Sequence, residues 1–568
     1  MNQQKIPSFL LVVFICLVIT ACNNSAKPAT KKIVVNPENM DQETTASIQQ
    51  ALQYALQNKG EIDDSTHLKM LPVVNEFYSQ TKFANIWSHK EKWEPLADTL
   101  MNFIKACETY GLFPKDYQLK KLVVLKTMLE TDSLKRMDAE IWTRADLLLT
   151  DGFMHVIKDL KVGRLMADSI LFNKKDTVTK KDFYTASLKT LIANKQFTNL
   201  LNTIEPSQQG YQALKNLLPQ FLDSMDRKVY TYVPFPFKAN DVKDSVFFVK
   251  KIEQRLKESD CIAKDVKMAD SVQLSAAIKK FQKKKAIKTD GKVSAGLVRL
   301  MNLNDLERFK RIAITLDRYK QLPPTMPEKY IWVNLPSYYL QVIDHDSVVI
   351  TSKIIVGKPD TKTPLLYSVI SDMVTYPTWT VPNSIIKKNY LPKLKSNPYY
   401  LSHIGLHLEN NKGETIDPGT VNWSKYTKGI PFKVMQGSGD DNALGILKFN
   451  FNNPYSVYLH DTNQRYLFSN SSRALSHGCV RVQQWEELAF FIARNDSMNV
   501  KAGDSLRYNT DSIKNWLANK ERKRIGVKHG IPLFIVYFSC EAKGSKIKFY
   551  EDMYGDDKVM REKYFSDK

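Results

Sequence analysis

Cysteine is scarce in this sequence, which has six cysteines among 568 residues. The four that follow the N-terminal region are Cys107, Cys261, Cys479 and Cys540. An exported protein could pair them, but four cysteines spread over so long a chain do not make a disulfide framework. Each is therefore interpreted from its own surroundings. Cys107 lies on the apolar face of a predicted helix that ends near Gly111, so we expect a small core residue.

Long apolar runs are also missing, except for one near the N-terminus. That run, Phe9–Ala21, follows Lys5 and is too short to span a bilayer comfortably, but it has the length of a signal-peptide core. We therefore predict a signal peptide over residues 1–21 and no membrane-spanning helix in the rest of the chain.

The apolar run ends in the residues ITAC, the last of which is Cys22. This ending resembles a bacterial lipobox, in which the signal is cut before the cysteine and the cysteine is then acylated. Lipid chains on Cys22 would hold the protein to a membrane without a spanning helix. Because Asn23 and Asn24 follow, we expect an exported lipoprotein that faces the periplasm, on the outer membrane rather than the inner one. The alternative is an ordinary signal peptide with an incidental cysteine.

Acidic residues are also few compared with basic ones. Asp and Glu number 60 against 82 Lys and Arg, which gives a formal net charge of +22. Such a surplus favours anionic partners such as nucleic acid, a membrane surface or an acidic polymer like the cell wall, although a solvated lysine-rich surface explains it equally well. The sequence contains no recognisable nucleic-acid-binding module, so we do not expect a nucleic-acid partner.

The apolar pattern divides the chain into a helical part and a β-rich part. A chain of this length exceeds a single core, so we predict a multidomain α+β protein. Residues 22–70 are polar and form a predicted tether, with a short helix near Ile48–Leu56. Helical spacing dominates a predicted scaffold domain over residues 71–247, and strand-like alternation dominates residues 308–505. Residues 506–568 are predicted to be a C-terminal extension packed on the β-rich domain.

Between these parts, residues 248–305 form a predicted three-helix unit. One helix ends in Phe-Gln at Gln282, an Asp-Gly turn ends at Gly291, and a closing helix ends in Leu-Met-Asn at Asn302. Apart from one inserted methionine, this pattern resembles the peptidoglycan-binding module. Any small helical packing unit is the alternative.

The clearest candidate for chemistry is the stretch SHGCVRV, which runs from Ser476 to Val482. A cysteine attacks as a thiolate, so a catalytic Cys479 needs a nearby base and donors for the oxyanion that forms. Gly478 lets the backbone pass close to a substrate carbonyl, and the amides of Gly478 and Cys479 are natural donors. The base must come from elsewhere, and His460 in YLHDT is the candidate. On a strand the next residue, an aspartate, would point to the opposite face, so a backbone carbonyl suits the His460 ring better.

Three other interpretations stay open at this level. Cys479 could pair with Cys540 in an oxidising compartment, or join His460 and His477 around a zinc ion, although His-Gly-Cys is not a usual zinc spacing. The third is that a lone histidine is an ordinary core residue. That interpretation is kept for the histidines without an assigned role: His345, His403 and His407.

Taken together, these residues resemble the L,D-transpeptidase family with its YkuD-type catalytic domain, and in particular the large periplasmic subclass. The stretches VNLPSYYLQV, KIIVGKPDTKTP, YPTWTVPNSI, NALGILKFNF, YLHDT and RALSHGCVRV occur in the order of that subclass. The helical scaffold, the peptidoglycan-binding unit and the ending VYFSCEAKGSKIKFYEDMYGDD match it as well. The resemblance implies that residues 383–434 are a capping insertion in a β-rich L,D-transpeptidase catalytic domain. Asn442 and Gly445 would be structural positions near its site.

The resemblance assigns roles residue by residue. The catalytic set is Cys479 (acylated nucleophile), His460 (general base, then acid), His477 (shaping the site) and Gly478 (oxyanion donor through its backbone). Ser476 and Arg481 are grouped with substrate binding. Ser476 is expected to hold the loop locally, and Arg481 either meets a carboxylate of the substrate or braces the loop. No metal or organic cofactor is implied.

The implied reaction is the cross-linking of peptidoglycan. Cys479 attacks the carbonyl between the third and fourth residues of a tetrapeptide stem, and His460 takes the thiol proton during the attack or already holds it. D-Ala leaves, and the amine of a neighbouring stem gives a 3→3 cross-link. Hydrolysis (an L,D-carboxypeptidase), transfer to D-amino acids or proteins, and a non-catalytic wall-binding lipoprotein are the alternatives. The implied partners are peptide stems, the membrane through Cys22 and cell-wall synthases, and carbapenems are expected to acylate Cys479.

Overall fold

The computed structural model describes residues 28–165, 181–234, 242–285, 287–500 and 508–565. The predicted signal peptide and the lipidation site Cys22 lie outside these residues. None of the helices within the described ranges combines the length and the apolar character that a membrane crossing requires. The described chain forms two compact units.

The first unit is a helical body built from residues 28–104, 117–155 and 184–195. The helices that contribute to it, given at full length, are Met40–Gln57, Leu71–Gln80, Pro95–Ala106, Leu119–Thr131, Ser133–Arg136, Ala139–Lys161 and Lys181–Asn194. Two short antiparallel pairs accompany them: β1 (Glu61–Asp63) with β2 (Thr66–His67), and β3 (Ser88–His89) with β4 (Lys92–Trp93).

A buried carboxylate lies at the centre of the first unit. Asp146 accepts hydrogen bonds from the backbone N–H groups of Trp87 (2.9 Å) and Ile86 (3.1 Å) and from the Tyr78 hydroxyl. The Trp87 indole donates to Thr150 Oγ1 at 2.8 Å. Burial raises the pKa of Asp146 to about 6, and its hydrogen bonds act against that shift. The carboxylate thereby joins one long helix to the loop that carries Trp87.

Part of the predicted tether over residues 22–70 is folded. Met40–Gln57 is a helix of 18 residues, longer than the short helix we predicted, with Ile48 and Leu52 on its buried face. The glutamines that made the segment resemble a linker lie on its exposed face. Polar composition therefore concealed an amphipathic helix that packs into the first unit.

The second unit contains the described parts of residues 105–116, 156–183 and 196–568. Its helices are Phe197–Ile204, Gln209–Asn216, Leu218–Ser224, Val242–Glu258, Ser271–Lys284, Ala295–Asn302, Asp305–Tyr319, Trp485–Met498, Thr510–Ala518 and Asp556–Tyr564. The predicted scaffold over residues 71–247 is therefore divided between the two units. Phe113 and Tyr211, for example, share a core with Phe309. Apolar residues have the same helical spacing throughout this region, so the sequence pattern did not indicate which core each helix joins.

Three helices form the small unit predicted over residues 248–305, and the first begins before that boundary. They are Val242–Glu258, Ser271–Lys284 and Ala295–Asn302, which share one apolar core. The Gln282 side chain donates to the Asp290 carboxylate at 2.8 Å and accepts the Gly291 N–H at 2.9 Å. The Phe-Gln and Asp-Gly signatures thus belong to one hydrogen-bonded turn.

The β-rich part of the chain closes into a barrel. Its strands and those of the capping insertion are β5 (Lys329–Asn334), β6 (Tyr339–Asp344), β7 (Ser347–Gly357), β8 (Leu366–Thr375), β9 (Trp379–Thr380), β10 (Leu406–Glu409), β11 (Thr415–Ile416), β12 (Lys433–Gln436), β13 (Leu447–Phe451), β14 (Leu459–His460), β15 (Ala474–Ser476), β16 (Val480–Val482), β17 (Arg524–Gly526), β18 (Pro532–Val536), β19 (Cys540–Lys543) and β20 (Lys546–Phe549). The main sheet has the order β13-β14-β16-β7-β6-β5-β18-β8, and β8 pairs with β13 to close the ring.

The C-terminal region, residues 506–568, is part of the barrel and not merely packed on it. Strand β18 lies between β5, to which it is parallel, and β8, to which it is antiparallel. Its Leu533 and Ile535 enter the same core as Leu459 and Val480. A strand that comes late in the chain can lie in the middle of a sheet. The position of β18 in the sequence therefore did not show that it lies between β5 and β8.

The predicted capping segment, residues 383–434, is a small folded unit with its own core. A sheet in the order β11-β10-β12-β9 supports the helical turns Asn383–Ile385, Leu391–Ser396 and Tyr400–His403. Because β9 and the end of β12 pair, the unit extends over residues 379–436. We call residues 379–436 the cap.

Candidate active site

Strand alternation brings the candidate residues to one face of the barrel sheet. His460 on β14 lies opposite Arg481 on the parallel strand β16, and Lys448 on β13 lies opposite His460. Cross-strand partners point to the same side of a sheet, and every second residue of a strand returns to that side. Cys479 therefore shares the face with Arg481, while Val480 between them packs into the apolar core.

Tyr458 lies at the centre of this face. Its ring meets the His460 ring edge to face with 5.6 Å between centroids, and the Lys448 ammonium lies 4.0 Å from its centroid. Burial raises the pKa of its hydroxyl well above the ordinary value, and the hydroxyl lies near enough to the Cys479 thiol and the Trp379 side chain of the cap for both to influence that pKa. The sequence analysis missed Tyr458, although its position two residues before His460 on a strand was the signal that could have found it.

The Cys479 side chain is half-buried. Burial raises the pKa of its thiol above the ordinary value, while hydrogen bonds from Tyr458 and the charges of Lys448 and Arg481 act in the opposite direction. Burial prevails, so the resting side chain is a neutral thiol at neutral pH.

His460 is buried and neutral. Burial lowers its pKa to about 3, and the positive charge of Arg481 adds to that shift. The backbone of Asp461 and Leu444 favours the protonated ring and offsets part of the effect. A thiol with a raised pKa beside an imidazole with a lowered one is a neutral pair. Any attack by this sulfur would therefore require a proton transfer.

The Asp461 carboxylate faces away from His460, as predicted. It is buried, accepts the Ile446 N–H at 3.1 Å and pairs with the Arg465 guanidinium at 2.6 Å. Gly445 lies against it with a φ of +63°, and a Cβ at Gly445 would be 2.3 Å from Asp461 Oδ2. Glycine is therefore strongly favoured at position 445, in keeping with the structural role predicted for it.

We expect Gly445→Ala to lower the free energy of unfolding by about 3 kcal/mol, from left-handed backbone strain and the collision with Asp461. Denaturant titration would measure the loss. Gly544→Ala is the matched control, because Gly544 has a φ of +58° and nothing within 4 Å of its Cβ position. It should lose only about 1 kcal/mol. Equal losses in the two variants would show that no collision contributes.

The loop that carries Cys479 is closed by its own hydrogen bonds. The buried Ser476 hydroxyl donates to the Cys479 carbonyl at 2.6 Å and accepts the Gly478 N–H at 3.1 Å. Ser476 thus holds the loop, and its hydroxyl is not directed to a substrate. The Gly478 N–H is occupied as well, which corrects its assignment as an oxyanion donor. The Cys479 N–H makes no hydrogen bond within the described residues and is the remaining candidate.

His477 lies outside this face and is exposed. Its Nε2 is 3.1 Å from Nδ2 of Asn389 in the cap. Burial of the ring and the nearby charges of Lys358, Arg481 and Lys388 lower its pKa. His477 therefore connects the cap to residues 476–479, which we call the nucleophile loop after the predicted role of Cys479. This contact fits a role in shaping the site.

Arg481 and Lys448 give the face an unbalanced positive charge. The Arg481 Nη1 donates to Gln464 Oε1 at 3.1 Å, and its Nε is buried without a hydrogen bond. Burial lowers the pKa of Lys448. Within the described chain, no carboxylate lies within ion-pair distance of either side chain. Such a surface attracts an anion.

Two alternative interpretations of Cys479 do not fit the structure. All four described cysteines are free, and Cys540 is buried in another core with its Sγ 3.2 Å from Thr315 Oγ1. No cluster of three or more metal-binding side chains occurs in the part of the chain that the structure describes. Cys107, as predicted, is a buried core residue.

The three unassigned histidines lie at or near the surface and not in a core, which corrects the core interpretation. They contact acceptors that are close in sequence: His345 with Asp344, His403 with the Tyr399 carbonyl and His407 with Glu409.

Comparisons with known proteins identify two domains. Residues 328–500 match the YkuD family, the L,D-transpeptidase catalytic domain, and residues 72–218 match the scaffold domain family. A protein of Haemophilus influenzae described as a putative L,D-transpeptidase is 32% identical over 250 residues. The match covers 44% of this chain and 48% of that protein, so the chain spans about half the length of the curated relative it matches.

Solved structures with distant similarity include two L,D-transpeptidases. The one from Mycobacterium smegmatis is 11% identical, covers 37% of this chain and 58% of its own, and has a TM-score of 0.17. The one from Stackebrandtia nassauensis is 16% identical, covers 54% of this chain and 97% of its own, and has a TM-score of 0.16. Superpositions at such TM-scores carry no argument. The two family matches thus identify a scaffold domain over residues 72–218, followed by a YkuD-type L,D-transpeptidase catalytic domain over residues 328–500.

Proposed function

We propose that this protein is a peptidoglycan L,D-transpeptidase that forms 3→3 cross-links through a thioester on Cys479. The observation that supports this most strongly is the shared face of Cys479, His460 and the unpaired cation Arg481 within the matched catalytic domain. A nucleophile, a base and an anion-binding group are what acyl transfer from a stem with a terminal carboxylate requires.

The first half-reaction acylates the thiol. Cys479 Sγ bonds to the carbonyl carbon between residues three and four of the donor stem while the thiol proton passes to His460. The carbonyl oxygen becomes an oxyanion beside the Cys479 N–H, and the Tyr458 hydroxyl stabilises charge on the sulfur. The carbon–nitrogen bond then breaks, and His460 returns its proton to the departing D-Ala amine.

The second half-reaction transfers the acyl group. The side-chain amine of a neighbouring stem attacks the thioester, His460 accepts its proton, and the carbon–sulfur bond breaks. The proton then returns to the sulfur and restores the thiol. The cap, which reaches the nucleophile loop through Asn389 and His477, would favour the amine over water by excluding solvent.

The environment that we propose follows from the sequence. The protein is exported as a lipoprotein, anchored through Cys22 and facing the periplasm, on the outer rather than the inner membrane. The three-helix unit binds the wall, and the net charge of +22 supports weak, salt-sensitive contacts with stem carboxylates. Cell-wall synthases are proposed partners, and carbapenems are proposed to acylate Cys479.

The test is mass spectrometry of products. Soluble protein that begins after Cys22 is incubated with purified disaccharide-tetrapeptide, beside the Cys479→Ala variant. A cross-linked dimer lighter by one D-Ala, made by the wild type alone, supports the proposal. Tripeptide monomer without dimer would identify an L,D-carboxypeptidase, and unchanged donor with both proteins would favour a non-catalytic wall-binding protein.

Arg481 provides a separate test of donor recognition. We expect Arg481→Gln to lower kcat/KM by about 10- to 100-fold, mainly through KM, because a charge-assisted hydrogen bond to the terminal carboxylate is lost. Steady-state release of D-Ala measures it, and Lys514→Gln, which removes an exposed charge, should change kcat/KM less than about twofold.

A donor whose terminal carboxylate is amidated completes this test. With this donor, the kcat/KM of the wild type should fall by a similar factor, and the kcat/KM of Arg481→Gln should fall little further. If the variant still discriminates fully between the two donors, Arg481 braces the loop and does not bind the carboxylate.

A further inference from the structure

The nucleophile loop is supported by a residue outside the matched catalytic domain. Tyr554 belongs to the C-terminal region, beyond the match that ends at residue 500. Its hydroxyl donates to the Gly357 carbonyl at 2.7 Å and accepts the Thr363 N–H at 3.2 Å. Tyr554 thereby holds both ends of the segment that leaves β7 and leads to β8.

Thr363 extends this contact to the nucleophile loop. Its hydroxyl accepts the Gly357 N–H at 2.9 Å and donates to the Gly478 carbonyl at 2.8 Å. The side chain is buried, and the hydroxyl has one donor and one acceptor partner. It therefore forms a direct link between the segment held by Tyr554 and the residue that precedes the nucleophile.

The Gly478 carbonyl matters because it shares a peptide unit with the Cys479 N–H. In a planar trans peptide the C=O and the N–H point in opposite directions, so fixing the oxygen aims the N–H. Gly478 has a φ of +123° and no side chain, so this unit rotates more easily than it would at another residue. An anchor from outside the loop is what holds it in one orientation.

Tyr554 is itself fixed by its neighbours. Its N–H donates to the Tyr537 hydroxyl at 3.0 Å, and that hydroxyl donates to Asp552 at 2.6 Å. The Lys362 ammonium donates to the Tyr554 carbonyl at 2.9 Å. The support is therefore continuous from the C-terminal region to Gly478.

We infer that Thr363 and Tyr554 are positioning residues that aim the Cys479 N–H at the oxyanion, which makes the C-terminal region part of the catalytic apparatus. The inference rests on the proposed acyl transfer by Cys479. Neither side chain needs to touch the substrate, because each acts through the peptide unit between Gly478 and Cys479.

Two substitutions at Thr363 and one at Tyr554 test this inference in the soluble protein that begins after Cys22. Thr363→Val should lower kcat for D-Ala release by about 10- to 100-fold, and Tyr554→Phe by about 10-fold, with KM nearly unchanged. Thr363→Ser keeps the hydroxyl and should recover most of the activity. Alkylation of Cys479 by iodoacetamide forms no oxyanion, so its rate should stay within about twofold in every variant.

Tyr508→Phe is the matched control for general loss of stability. Tyr508 lies in the same core as Tyr554 and donates to Asp496 at 2.5 Å, and within the described chain no hydrogen bond joins its side chain to the nucleophile loop. Its kcat should stay close to that of the wild type even where its melting temperature falls as far as that of Tyr554→Phe.

Three results would overturn the inference while leaving the proposed function intact. These are full activity in Thr363→Val or Tyr554→Phe, an equal loss in Tyr508→Phe, or a fall in alkylation that parallels the fall in kcat. An inactive wild type, by contrast, would refute the proposed function itself, since every comparison above starts from wild-type turnover.

Discussion

Replacing Cys479 with alanine is expected to lower the release of D-Ala from a tetrapeptide donor by at least about 10⁴-fold. The variant has no atom that can form the thioester, and the remaining donors and cations stabilise only the uncatalysed attack of water. Mass spectrometry of timed reactions would measure the loss, together with the appearance of an acyl-enzyme in the wild type.

Cys261→Ala is the matched control for this substitution. Cys261 is a free, buried cysteine in the core of the three-helix unit, so its loss should leave turnover within about twofold. Turnover that survives in Cys479→Ala, or that disappears equally in Cys261→Ala, would remove the basis for a thioester on Cys479.

His460→Gln is expected to lower turnover by about 10³-fold without changing how Cys479 reacts with iodoacetamide. Turnover needs a base that takes the thiol proton and an acid that protonates the leaving amine. Simple alkylation depends on the small fraction of thiolate, which a neutral imidazole does not raise. The two measurements on one variant therefore separate proton transfer from thiolate formation.

The pH dependence of alkylation tests whether Cys479 is a neutral thiol or a thiolate near neutral pH. The pKa of Cys479 is raised, so its thiolate fraction is small at pH 7 and grows as the pH rises towards that pKa. His460 has a pKa of about 3 and is uncharged above about pH 4, so it does not stabilise thiolate there. The rate should rise by about tenfold per pH unit between pH 6 and 8 in both proteins. A plateau from pH 5 to 8 in the wild type, lost in His460→Gln, would instead show a thiolate–imidazolium pair.

Local patterns predicted several structural features correctly. Strand alternation placed the Asp461 carboxylate on the face opposite His460, and its pairing with Arg465 confirms this. Gly111 ends its helical segment with a φ of +69°, as a left-handed glycine does. These features depend on one or two neighbours along the chain, which is why a sequence shows them.

Other features depend on neighbours that are distant in sequence. Lys448 and Tyr458 join Cys479 only because β13, β14 and β16 are adjacent in the barrel. The Gly478 N–H donates to the side chain of Ser476, two residues earlier. The Gly478 carbonyl accepts a hydrogen bond from Thr363, which is more than a hundred residues away in sequence. No motif specifies such contacts.

The sequence by itself showed that this chain carries an SHGC motif, a histidine on a predicted strand and ordered segments that resemble the L,D-transpeptidases, because these are fixed by residue type and short-range spacing. The tertiary structure alone decided the rest. It placed the C-terminal strand β18 within the barrel, and it made Cys479 and His460 a neutral pair. The place of β18 and the protonation states of Cys479 and His460 both depend on burial. The order of strands and the cost of desolvating a charge are set by the whole core and not by any local segment.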